Sequence, residues 1–202
     1  MVPVTDTPSL RDRQRAQVRS DIHAAAYRLF AARGFGNVTT EDIAAEAAVS
    51  PRTFFRHVAT KEELLLGPVQ RGGPAIVSLL QRRPADEPAD LALTAAIVGR
   101  VGSFDDVDLQ SWREAILTAP DLLDRVTLLP AADRTRLADL IAERMDVDPA
   151  NDNRPGLLVQ LSLAAADFAF QRWVRDDRSR RRSLSREVGE ALSVVEHSRW
   201  RG

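Results

Sequence analysis

An all-helical chain, built as a small three-helix head followed by a larger helical region, is the fold class this sequence predicts. Three observations carry that reading. Apolar residues recur at helical spacing along most of the chain, capping residues punctuate it at short intervals, and no stretch alternates apolar and polar residues as a half-buried strand would.

In the head, Val18, Ile22, Ala25, Ala26, Leu29 and Phe30 follow i, i+4, i+7, i+8 spacing, and Gly34 stands where a left-handed cap would end that helix. Thr39 can cap a short second helix, with Asp42 completing a capping box and Ile43, Ala44 and Ala47 forming its apolar face. Ser50 followed by Pro51 is a cap and first-turn pair that opens a third helix. Thr60-Lys61-Glu62-Glu63 opens a fourth, which Gly67, Pro68, Gly72, Gly73 and Pro74 interrupt as a hinge or kink. After the polar, Pro-rich loop RRPADEPAD (82–90), helical patterns cover roughly 89–102, 107–119, 121–129 and 131–145. NDNRPG (151–156) breaks the chain again, and two final helices run from roughly 155 to 175 and 183 to 199, joined by DDRSRRR. The domain division this organisation predicts is 1–64 and 65–202.

Composition removes several function classes. The chain has 202 residues, enough for one or two modest domains with a substantial core, and no Cys, hence no disulfide, thiolate zinc site or Cys nucleophile. Its three His, at 23, 57 and 197, are far apart and lack metal-ligand spacing, and no Gly-rich phosphate loop or nucleophile motif occurs. An enzyme, a metal and a cofactor are therefore not expected. The apolar runs fall short of the roughly 18 residues that span a bilayer, and no N-terminal run looks like a signal peptide, so a soluble, cytoplasmic protein is expected. Net charge is −1, but residues 1–61 carry 9 basic and 6 acidic groups. That excess hints at a nucleic-acid partner.

The stretch VSPRTFFRHVATK (49–61) concentrates two Phe, two Arg, a His and the only Lys of the chain. Two short helices joined by a turn at Ala48 and Val49, packed on a longer first helix, make a helix-turn-helix unit whose third helix would be the reader. Phe54 and Val58, four apart, would bury against the first helix and leave Pro51, Arg52, Thr53, Arg56 and His57 exposed, with Phe55 intermediate. Arg can bond guanine bidentately, Thr and Phe can meet a thymine methyl, and His and Lys can reach phosphates. For the Arg residues taken singly, a solvated amphipathic face is an equal alternative. Arg11, Arg13, Arg15 and Arg19 of the N-terminal arm could follow phosphates or enter a minor groove. A disordered, solvated tail is the preferred reading.

Residues 25–64, AAYRLFAARGFGNVTTEDIAAEAAVSPRTFFRHVATKEEL, resemble the tetracycline-repressor (TetR) family of bacterial regulators. The resemblance covers about a fifth of the chain and implies a DNA-binding head followed by a variable ligand-binding and dimerisation region. By position, it implies that Thr39 and Thr40 touch phosphates, that Arg52 and Thr53 reach bases, and that His57 and Lys61 clamp phosphates. Ser50, Pro51, Phe55 and Arg56 complete the DNA-contacting set. Phe55 departs from the family's usual Tyr, Phe54 from the commoner Leu, and Ala59 from a frequent Pro.

In the second region, LLVQLSLAAADFAF (157–170) is apolar on nearly all sides, and Leu184, Val188, Ala191, Leu192 and Val195 form one stripe on the last helix. Pairing these two helices with their copies across a two-fold axis would bury both sets, so Leu161, Phe168, Leu184, Val188, Leu192 and Val195 are the dimer candidates. An intramolecular core is the alternative at each position. Trp112, Asp167 and Phe170 are the effector-pocket candidates, against a core role for the aromatics and Arg pairing for the carboxylate. RDDRSRRR (175–182) is read as a solvated loop. The predicted function is a repressor-like homodimer on a near-palindromic double-stranded DNA operator, released by an apolar or amphiphilic effector. The alternative is a helical ligand-binding or protein-interaction module that keeps the scaffold without specific operator binding.

Overall fold

A computed structural model of the chain describes residues 9–70, 72–103, 106–126, 129–176 and 182–196, and among these every regular element is helical. Helix α1 (Leu10–Arg33) begins at Ser9, whose Oγ accepts from the Asp12 N–H at 3.2 Å. It buries Ile22, Ala25, Ala26, Tyr27 and Phe30, and stops at Gly34, whose φ of 80° a side chain would strain. The helix extends eight residues upstream of Val18, which corrects the expectation of a disordered arm. Residues 10–17 are polar nearly all round, so hydrophobic periodicity is blind to them, while a Ser cap and good helix formers are not.

A single 3-10 turn (Phe35–Asn37) leads to α2 (Thr40–Glu46), where the capping box forms in full. Thr39 Oγ1 accepts from Asp42 N at 3.1 Å, and Asp42 Oδ2 accepts from Thr39 N at 3.0 Å. Those two bonds, led by the backbone one and helped by Arg33, hold the Asp42 carboxyl below its ordinary range. Ala48 makes the turn into α3 (Pro51–His57) with a φ of 53°, in the left-handed region that costs a β-carbon roughly 1 kcal/mol.

Helix α4 (Glu63–Gln70) contains Pro68, which has no N–H to offer the Leu64 carbonyl one turn earlier. The Tyr27 hydroxyl donates to that carbonyl instead, at 3.2 Å in a buried setting. The remaining helices are α5 (Gly72–Gln81), α6 (Ala89–Val101), α7 (Asp106–Ile116), the single turn α8 (Pro120–Leu123), α9 (Ala131–Met145), α10 (Arg154–Arg175) and α11 (Leu184–Glu196). The Gly/Pro-rich stretch carries α4 and α5 on either side of residue 71, which lies outside the described residues, and among the described residues the pattern over 121–129 gives α8.

The chain forms two compact units. The first holds the described residues up to Leu65 together with Ser111–Leu122; the second holds Leu66–Gln110 and the described residues from Leu123 onward. Instead of a contiguous cut at 64 and 65, the structure returns the end of α7 to the head. There Trp112, Ala115 and Ile116 are buried, and Trp112 Nε1 donates to the Leu65 carbonyl at 2.8 Å.

In the second unit α10 packs on α11, α9 and α6, while α5 packs on α6 and α9. Arg144 ties the 82–88 loop to the end of α5 by donating to the carbonyls of Leu80, Arg83, Pro84 and Glu87. Trp173 is buried, and its Nε1 donates to the Arg182 carbonyl at 3.0 Å. Residues 177–181 of the Arg-rich run, and His197, lie outside the described residues.

Candidate nucleic-acid interface

Helix α3 is fixed at both ends. Ser50 Oγ accepts from Thr53 N at 3.1 Å and lies 2.9 Å from Thr53 Oγ1, Pro51 supplies the first-turn φ, and the helix closes at buried Val58. Phe54 is buried completely, which leaves Pro51, Arg52, Phe55 and Arg56 exposed and Thr53 and His57 half-buried. Phe55 is 52% exposed, an aromatic ring set edge-on to Phe54 with centroids 5.3 Å apart. A seven-residue helix with two free guanidiniums and an outward aromatic fits a major groove about 12 Å wide, where such groups meet base edges and methyls.

Thr39 and Thr40 stand at the start of α2. The Thr39 hydroxyl oxygen serves the cap and keeps its proton available to an outside acceptor, whereas the Thr40 hydroxyl donates to Glu41 Oε2 at 3.0 Å. Burial, followed by the charges of Arg56, Arg19 and Arg15, pushes the His57 pKa below its ordinary 6.5. That depression favours the uncharged ring, and its causes put Arg15 and Arg19 of α1 within electrostatic reach of His57. Arg11, Arg15 and Arg19 lie four apart on one exposed ridge of α1, so the arm adds an ordered basic edge beside the end of α3.

Lys61, expected as a phosphate clamp, is turned onto the backbone of the head. Its Nζ donates to the carbonyls of Phe35 at 2.9 Å and Val38 at 2.8 Å and sits 4.2 Å from the Phe35 ring centroid. Two of the three ammonium donors are thus engaged within the head.

This head geometry has counterparts of known kind. A family model described as bacterial regulatory proteins, tetR family, matches residues 22–67, and one described as MftR C-terminal domain matches residues 87–199. TcmR of Streptomyces glaucescens, an HTH-type transcriptional regulator, is 34% identical over 186 residues that span 84% of this chain and 82% of TcmR. The chain belongs to the TetR family of bacterial regulatory proteins. MftR of Mycobacterium tuberculosis, whose name assigns it to the regulation of mycofactocin biosynthesis, is 29% identical and spans 91% of both chains. Among solved structures the fold is shared with two further regulators. Bacillus halodurans FadR has a TM-score of 0.58 and 17% identity, covering 90% of this chain and 96% of that one. Pseudomonas aeruginosa NalD has a TM-score of 0.55 and 17% identity, covering 92% and 96%.

In this TetR-family regulator the second-unit candidates are redistributed. Leu184, Val188 and Leu192 are buried within the single chain, Leu192 with 0% exposure, because α10 and α6 cover that stripe of α11. They therefore cannot be a free dimer surface as expected from the amphipathic pattern; Val195 is half-buried. The outward apolar residues are instead Leu157, Leu161 and Phe168 of α10, at 51%, 45% and 64% exposure, and Val194 of α11. Trp112, a pocket candidate for which the sequence favours a core role, is a core residue of the first unit. Phe170 is buried in α10, and half-buried Asp167 has its pKa raised by burial, against the opposing pull of its bond to Gln171 and the charge of Arg175. Two open grooves mark the second unit. One, of about 510 Å³, lies between Leu80 and Arg83 on one side and Arg136, Leu140 and Arg144 on the other. The other, of about 320 Å³, runs along Phe168, Arg172 and Arg175. Neither is lined by Trp112, Asp167 or Phe170. Among the described residues no cluster of ligating side chains could hold a metal ion, and no helix is long and apolar enough to cross a membrane.

Proposed function

We propose that this TetR-family regulator is a cytoplasmic operator-binding repressor. It acts as a homodimer on a near-palindromic site, and a small apolar or amphiphilic effector taken up by the second unit lowers its affinity for DNA. The observation that carries the reading is the exposed α3 face, where Arg52 and Arg56 stand outside and Phe55 leaves about half its surface uncovered while Phe54 and the Ser50 cap hold the helix in place. Base-reading falls to Arg52 and Thr53, apolar contact to Phe55, and phosphate contact to Thr39, Arg56, His57 and the α1 ridge. One copy presents a single reading helix, so affinity and operator symmetry require a second copy about one DNA turn away, roughly 34 Å. The outward apolar residues of α10, with Val194, supply the surface for that pairing. An effector that binds the two conformations unequally by about 1 to 3 kcal/mol is sufficient for release.

Titrating salt against binding to fragments of the source genome tests the reading. A sequence preference with a steep fall in affinity as salt rises supports it. Weak binding that is equal on all fragments contradicts it and favours an interaction module.

A further inference from the structure

We infer that Lys61 and Thr118 are positioning residues for the DNA contact of α2, acting through the backbone of Phe35 and Val38 rather than by touching phosphate. The inference rests on the operator-binding reading above and deepens it. The short connection between α1 and α2 is held from two sides. From the start of α4, the Lys61 ammonium grips the Phe35 and Val38 carbonyls and lies against the Phe35 ring. From the end of α7, Thr118 Oγ1 accepts from the Phe35 N–H at 3.1 Å, while its own proton goes to the Ala115 carbonyl at 2.8 Å. Phe35 therefore has its N–H, its carbonyl and one ring face all engaged, and its ring also meets Phe30 with centroids 5.0 Å apart.

The grip falls next to the DNA-facing group. Val38 is buried and directly precedes Thr39, the exposed capping residue whose hydroxyl oxygen accepts from Asp42 N and can still donate its proton to an outside acceptor. Turning Lys61 outward to a phosphate would strip the Val38 carbonyl of its donor and leave the Phe35 carbonyl only the long bond from Val38 N at 3.5 Å, a loss larger than one solvent-exposed phosphate contact returns. The ammonium thus sets where Thr39 stands and leaves the phosphate to it. Lys61 precedes α4 and Thr118 follows α7, and both hold the same six-residue connection, 34–39.

The test uses the full chain, Lys61→Met and Thr118→Val variants, and a duplex that the wild type selects from a random library. Each variant is expected to weaken binding by roughly five- to tenfold while the slope of log affinity against log salt stays at the wild-type value. A slope shallower by about 0.9 in Lys61→Met would identify a phosphate ligand and overturn the inference. In a cycle with Thr39→Ala, the double variant Thr39→Ala/Lys61→Met should lose no more than the larger single loss, because both changes remove the same contact; losses that multiply overturn it. Amide exchange in the free protein gives a readout independent of DNA. Val38 and Thr39 should exchange faster in both variants while the core amide of Phe30 holds, and unchanged exchange at Val38 and Thr39 refutes the grip. Failure of the wild type to select any duplex is a failure of the proposed function, and the exchange result then still decides the positioning role.

Discussion

Helices α3 and α11 both carry a stripe that looks made for a partner, yet only α3 leaves its stripe outside. In α3 the short element is held by a Ser-Pro start and one buried Phe, so Pro51, Arg52, Phe55 and Arg56 face outward. In α11, Leu184, Val188 and Leu192 are swallowed by α10 and α6 of the same chain. The lesson is one of helix number. A short helix in the small head has a single neighbouring core and hence one possible buried face, whereas a helix in the larger unit can spend its apolar stripe on its own chain.

Charge substitutions break this comparison most sharply. Leu192→Glu should unfold the second unit, costing on the order of 4 kcal/mol or more in chemical denaturation, since it puts a carboxylate where no water reaches. Leu161→Glu and Phe168→Glu, at exposed positions, should keep wild-type stability within about 0.5 kcal/mol and shift the sedimentation equilibrium toward monomer. A folded, monomeric Leu192→Glu protein would return the dimer surface to α11. Next in size is Arg52→Ala, expected to weaken specific binding by about 1 to 3 kcal/mol and to relax base preference at one position of each half-site. Equal loss on all sequences in a competition assay would demote Arg52 to a phosphate contact.

The head was largely legible because its signals are local. Capping at Thr39 and Ser50, Gly34 as the stop of α1, and the Phe54–Val58 spacing each depend on residues within a few positions, and each is present. What stayed hidden depends on distant partners. No pattern announces that Lys61 turns inward to carbonyls 23 and 26 residues earlier, that Trp112 belongs to the head, or that Arg144 binds a loop some 60 residues away. The N-terminal half of α1 was missed for the opposite reason: it buries nothing, and periodicity detects only burial.

Smaller effects sharpen the contrast within the head. Ala48→Gly removes the β-carbon from a left-handed turn at an exposed site and should stabilise the protein by about 0.5 to 1 kcal/mol in thermal denaturation. The smallest is a pH effect. The His57 pKa is depressed in the folded chain by burial and by Arg56, Arg19 and Arg15, so the unfolded chain binds the proton more readily. Its contribution to stability is full above the ordinary value of 6.5 and is lost as pH falls through the folded value. An NMR titration should place the His57 midpoint below 6.5 and move it upward in Arg15→Ala and Arg19→Ala. A midpoint indifferent to both would separate α1 from the site.

The most direct measurement of the central claim is selection of binding sites by the full-length wild type from a random duplex library, followed by sequencing. A pair of reading helices on a symmetric homodimer predicts an enriched motif made of two inverted half-sites, with centres one or a few helical turns apart. A single unpaired half-site, or a pool with no shared motif, would contradict it.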